Sequence, residues 1–187
     1  MEQKIVYFEE EGSANTDETI RIAKQRADEL GIKAIIVASN RGGTALKAIE
    51  AFNGIKVVVV THSTGFRDPD TQEFTDEMRA SLESQGASIL TTGHTFMGIN
   101  RAITRKHKMV GPEDIISDVF RCFGHGTKVG VEIAMMAADS GLVSCSEDVI
   151  TIGGSHGGAD TALILKPVNS QRFFDLKVKE ILCKPHF

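Results

Sequence analysis

The chain has 187 residues, 41% of them hydrophobic, and a formal net charge of −4. That length is close to one domain, with enough apolar material for a core that needs no disulfide support. The acidic balance argues against a polyanion as the main partner, so any anion site has to be local. Cys122, Cys145 and Cys183 are odd in number and widely spaced, which fits neither a disulfide framework nor a zinc knuckle and points to a reducing compartment. The N-terminal MEQKIVYFEEEG has too short an apolar run for a signal peptide or a membrane span, so the expected location is the cytoplasm.

In chain order, KIVYF reads as a short strand. IRIAKQRADELGI reads as a helix, with Ile20, Ala23, Ala27 and Leu30 at helical spacing and Gly31 as its stop. KAIIVAS is a buried strand, SNRGGT a turn, ALKAIEAF a helix and IKVVVVT a second buried strand. A polar loop THSTGFRDPDTQ, a helix TDEMRASLESQG and a short strand ASILTT repeat the unit. Near-continuous Val and Ile runs between helices imply a parallel sheet covered on both faces, with residues 35–38 and 57–60 as central strands.

The stretch from Phe96 to Leu142 reads as mostly helical. In it, PEDIISDVFRCF places Ile115, Val119 and Cys122 on one face, and KVGVEIAMMAADSG ends at Gly141. From Val149 on, DVITIGG, TALILKPV and FFDLKVKEILCK read as strands with only loops between them. The expected architecture is one domain over residues 1–187: a three-layer α/β/α fold with a mostly parallel central sheet and a C-terminal antiparallel or mixed strand addition.

The strongest local feature is the strand-to-helix turn Ser39, Asn40, Arg41, Gly42, Gly43, Thr44. Such a turn aims free backbone N–H groups and the positive end of a helix dipole at an anion; two hydroxyls and a guanidinium add donors. The plainer alternative is an N-cap threonine beside glycines that merely turn the chain. The spacing is neither the Walker pattern nor G-x-G-x-x-G.

A second feature, GGSHGGADT, holds Gly153, Gly154, Gly158, Asp160 and Thr161, more glycine than a hairpin requires. It suggests ligand contact, against the alternative of a mobile polar loop. Thr61, His62, Gly65, Phe66 and His94 follow predicted strands, where ligands bind in open parallel sheets. Glu132 reads equally as a buried hydrogen-bonding carboxylate or as part of a solvated stripe. Gly124, His125, Gly126 and Lys128 form a short cationic turn, and the basic run from Arg101 to Lys108 reads as a solvated face. No motif supports a metal site or a serine-hydrolase elbow.

The order IIVASNRGGTALKAI, KVVVVT, VITIGGSHGGADTALILKPV resembles the C-terminal α/β domain of pyruvate kinase. In that family's allosteric members a Ser/Thr-Gly-rich turn holds a sugar phosphate and a late Gly-rich loop closes over it. The resemblance places residues 39–44 in the first role and 153–161 in the second. FEEEGSANTDETI, THSTGFRDPDTQE, MAADSGL, GGADTALILKP and FFDLKVKEILCKP extend it to the stand-alone pyruvate-kinase α/β-domain-like proteins of archaea and bacteria. This resemblance implies FMN as the cofactor. The catalytic barrel of pyruvate kinase has no counterpart in these residues, and pyruvate kinase activity is not expected.

The expected partner is a small phosphorylated ligand, with neither nucleic acid nor membrane, and a homo-oligomer is left open. Two rivals remain. One is an enzyme acting on a phosphorylated metabolite, with His62, His94 or His156 as acid or base and Lys128 or Arg41 stabilising charge. The other is a sensor that reports a phosphometabolite to a partner.

Overall fold

The computed structural model describes residues 2–186. Seven strands form one sheet: β1 (Val6–Phe8), β2 (Ala34–Ala38), β3 (Lys56–Val60), β4 (Ser88–Leu90), β5 (Val149–Gly153), β6 (Thr161–Lys166) and β7 (Lys177–Pro185), in the order β1-β7-β6-β5-β2-β3-β4. Strands β5, β2, β3 and β4 are mutually parallel. Strand β6 is antiparallel to both of its neighbours, β5 and β7, and β1 pairs parallel with β7. The expected parallel sheet with a mixed C-terminal addition is what forms.

The central strands are apolar on both sides because each side meets a helix layer. Ile35, Val37, Val57 and Val59 face a core shared with α1 (Thr16–Leu30), α2 (Gly43–Ala51) and α3 (Asp76–Ser84). The alternate residues Ile36, Val58 and Val60 face α6 (His125–Asp139), with α5 (Pro112–Arg121) contributing Ile116 and Phe120. Helix α4 (Gly98–His107) lies beside α5, joined to it where Thr104 donates to Asp114 at 3.0 Å. Gly126 and Gly130, four apart on α6, let that helix lie against the sheet: a Cβ on Gly130 would sit 2.7 Å from Thr151 Oγ1.

Several sequence expectations need correction. Helix α1 begins at Thr16, not at Ile20, because Asp17 and Glu18 form a favourable acidic first turn; Leu30 is 47% exposed at its end. Gly31 does terminate it, at φ 65°. On α5 the face shared by Ile115, Val119 and Cys122 points outward. Ile115, Val119 and Cys122 are exposed while Ile116 and Phe120 pack inward, since the helix is apolar on two sides and the core beside α6 takes only one. Phe173 and Phe174 lie in a short 3-10 helix (Ser170–Asp175), so β7 starts only at Lys177. No helix occurs between β5 and β6.

Cys183 on β7 is fully buried, and burial pushes its thiol up to about 12. Among the described residues, no helix is long and apolar enough to cross a membrane.

Candidate functional site

Every parallel strand of the sheet delivers its carboxyl end to one rim, and the turn after β2 lies next to the loop after β5 because those strands pair. Residues 39–44 and 153–161 thus leave neighbouring positions on the same rim.

In the turn after β2, Gly42 takes φ 92°, and a Cβ there would overlap the Met78 thioether. The conformation therefore demands glycine at 42. At Gly43 a Cβ would meet nothing within 4 Å. Ser39 Oγ accepts from the Ala45 N–H at 3.3 Å, and the N-cap of α2 is Gly42, not Thr44. The N–H groups of residues 40–44 have no protein acceptor among the described residues. Such a row at the start of a nine-residue helix is an electropositive cradle.

Arg41 is 82% exposed, and its guanidinium lies 3.7 Å from Glu73. Glu73 also accepts from His62 Nδ1 at 2.5 Å and lies 3.8 Å from Arg67. The hydrogen bond from His62, assisted by the two arginines, holds the Glu73 carboxyl below its usual range. Burial holds His62 below its usual value in spite of Glu73, so near neutral pH the ring is uncharged, with Nδ1–H donating and Nε2 left as the acceptor. His62 stacks on Phe66 at 3.7 Å between ring centres, and the Arg101 guanidinium lies 4.9 Å from the same ring. Arg41, Glu73, His62 and Phe66 thus form a continuous ledge leading away from the turn.

Gly65, at φ 77°, turns the ledge's loop. Thr61 is not on the ledge: it is 1% exposed and its hydroxyl lies 2.7 Å from that of Thr91, joining β3 to β4. Glu73 escaped the sequence reading because only the fold of the 61–75 loop returns it to His62.

The loop after β5 is different. Asp160 is fully buried and accepts from Gly12 N at 2.9 Å, Ser155 N at 3.0 Å and Thr161 Oγ1 at 2.7 Å. A Cβ on Gly153 would press on Gly126 O and Val129, one on Gly154 on the backbone of residues 158–160, and one on Gly158 on Ser13 and Thr16. These glycines answer to close packing within the protein. His156, at the tip, is 80% exposed and lies 3.0 Å from Glu11.

Beneath the ledge is a buried ionic cluster. Lys128 and Glu132 form an ion pair on α6, each 2% exposed, and Glu132 also accepts from Phe96 N at 2.9 Å. Burial alone would raise Glu132, but the adjacent His94 ring, Lys128 and the Phe96 N–H hold it down to about 2. Burial lowers Lys128 against the pull of Glu132. His94 Nδ1 is 3.7 Å from Glu132 Oε2, too far for a hydrogen bond, and both ring nitrogens are buried without a partner. Of the two readings open for Glu132, the buried carboxylate is the one found.

A recess of about 900 Å³ lined by Asp139, Asn169, Arg172 and Phe174 lies at the opposite rim, by the C-terminus of α6, away from this chemistry.

A match to the family described as pyruvate kinase, alpha/beta domain, covers residues 17–165, most of the chain. The chain belongs to that family. Among solved structures, a pyruvate kinase from Cryptosporidium parvum is similar at 14% identity over 84% of this chain, with a TM-score of 0.45. A Cryptosporidium parvum pyruvate kinase in complex with ADP is similar at 16% identity over 84%, with a TM-score of 0.41. The chain spans about a quarter of the length of those enzymes, 23% and 24% respectively.

Proposed function

We propose that this pyruvate kinase α/β domain protein binds a small phosphate-bearing ligand, FMN being the first candidate, with the phosphate on residues 39–44 and the remainder along the ledge of His62 and Phe66. The observation that carries the reading is the row of backbone N–H groups from 40 to 44 without a protein acceptor, at a helix start and beside Arg41. A phosphate fits that cradle. A flavin ring would have to share Phe66 with His62 and Arg101, both already in contact with it, so its place is along the His62 edge or in exchange for the guanidinium. The loop at 153–161 serves as a wall held by Asp160, not as the main donor set.

Titrating FMN and riboflavin into the wild type and into Arg41→Ala, with flavin fluorescence as the readout, tests the reading. FMN should bind more tightly than riboflavin. Arg41→Ala should cost FMN alone about 1.5–3 kcal/mol, the range for a hydrogen bond to a charged group. Equal affinities, unmoved by the substitution, would remove the phosphate from this turn.

A further inference from the structure

Next to the ledge, and sharing Gly65 and Phe66 with it, is a pocket of about 220 Å³ between the loop after β3 and α4, lined also by His94, Met97, Arg101 and Arg105. Three observations converge on it. First, among the described residues Arg101 and Arg105 are the only arginines without a carboxylate within 4 Å. The other seven pair with Glu18, Glu29 and Glu180, Glu73, Glu83, Asp118 or Asp175. The two stand four apart on α4, so both guanidinium groups address the same space, and no carboxylate lines it.

Second, His94 lines the pocket with a ring that makes no hydrogen bond among the described residues, its Nδ1 lying 3.7 Å from the Glu132 carboxylate, so the ring is placed to sense an occupant. Third, α4 starts at this pocket: its N-cap Met97 makes no side-chain cap bond, and both Met97 and the first helical residue, Gly98, line the space. A Cβ on Gly93 or Gly98 would meet nothing within 4 Å, so open space borders both.

We propose that this pocket is a binding site for a small organic anion, its carboxylate or phosphate oxygens held by Arg101, Arg105 and the start of α4, with the His94 ring alongside. The volume is that of about seven waters, below the ~300 Å³ of an ordinary cofactor pocket, so the occupant is a small acid and not a nucleotide. Guanidinium forks accept carboxylate and phosphate alike, and the experiment separates the two. The site is independent of the phosphate turn and stands or falls without it.

The test titrates inorganic phosphate and, separately, malonate into the isotopically labelled full chain, following backbone amides and the His94 ring nitrogens by NMR. The proposal expects saturable shifts at Gly93, Gly98 and the His94 ring with at least one anion. In the Arg101→Met/Arg105→Met variant, that binding should weaken by at least about tenfold. The tighter anion assigns the class as phosphate ester or carboxylate. No saturable shift at these positions with either anion, or shifts equally strong in the double variant, overturns the proposal. Shifts confined to residues 40–44 and lost in Arg41→Ala also overturn it, while upholding the turn. Pocket shifts that persist in Arg41→Ala, with residues 40–44 silent, uphold this site and count against the turn. The double variant should fold as the wild type does, since neither arginine makes an ion pair.

Discussion

The two glycine-rich segments on the strand-end rim look alike in composition and behave oppositely. In the loop at 153–161, Gly153, Gly154 and Gly158 are pressed against α6, the loop itself and the backbone at Ser13 respectively, and the one carboxylate accepts from three donors. In the turn at 39–44, Gly42 is fixed by its left-handed backbone and Met78, Gly43 borders open space, and a row of N–H groups has no partner among the described residues. Glycine content therefore does not distinguish a ligand loop from a packing loop. Open donors are the better guide, because N–H groups that the protein leaves unpaired at a helix start are available to an anion.

The contrast can be broken first on the saturated side, which includes α6. Lys128→Met should destabilise the protein by about 3–5 kcal/mol, since it leaves Glu132 buried without its counter-ion. The Lys128→Met/Glu132→Leu pair should recover most of that loss in urea denaturation. Glu132 has its folded pKa depressed from 4.5 to about 2, so its contribution is present above pH 4.5 and lost as the pH falls toward 2. The double variant should accordingly lose less stability than the wild type across that window. A recovery no better than the single variant would mean that the pair is not the unit proposed.

Asp160→Ala comes next, at about 2–4 kcal/mol, because it strands the N–H groups of Gly12 and Ser155. Amide exchange at those two positions should rise with the loss. Gly126→Ala should cost about 1–3 kcal/mol through overlap with the Thr161 side chain, read as a lowered melting temperature. Gly43→Ala, on the open side, should move stability by no more than about 0.5 kcal/mol, and FMN affinity should fall if a ligand uses that space. A Gly43→Ala variant as unstable as Gly126→Ala would erase the difference between the segments.

The central strands were legible because residues 35–38 and 57–60 are apolar without alternation, the pattern of a parallel strand covered on both faces. The turn after β2 was legible through its glycines and its place between strand and helix. Contacts formed only by the tertiary fold were not. β1 pairs with β7 across nearly the whole chain, Val6 opposite Cys183, and no local pattern announces that partner. Helix α5 carries apolar residues on two sides, so its period alone could not say whether Ile115 or Ile116 points inward. Glu73 joined the ledge, and Arg101 and Arg105 joined a pocket, through loop geometry; in sequence they read as ordinary surface charge.

The placement of Cys183 makes the sheet edge observable in time. With its thiol buried and pushed up to about 12, it is inert to alkylating reagents as long as β7 stays seated, while Cys122 on the surface is open to them. Labelling at Cys183 therefore reports how often the edge lifts away, with Cys122 as the internal clock for the reagent itself. Because β7 carries β1 on its outer side, that single rate measures the breathing of both chain-end strands together.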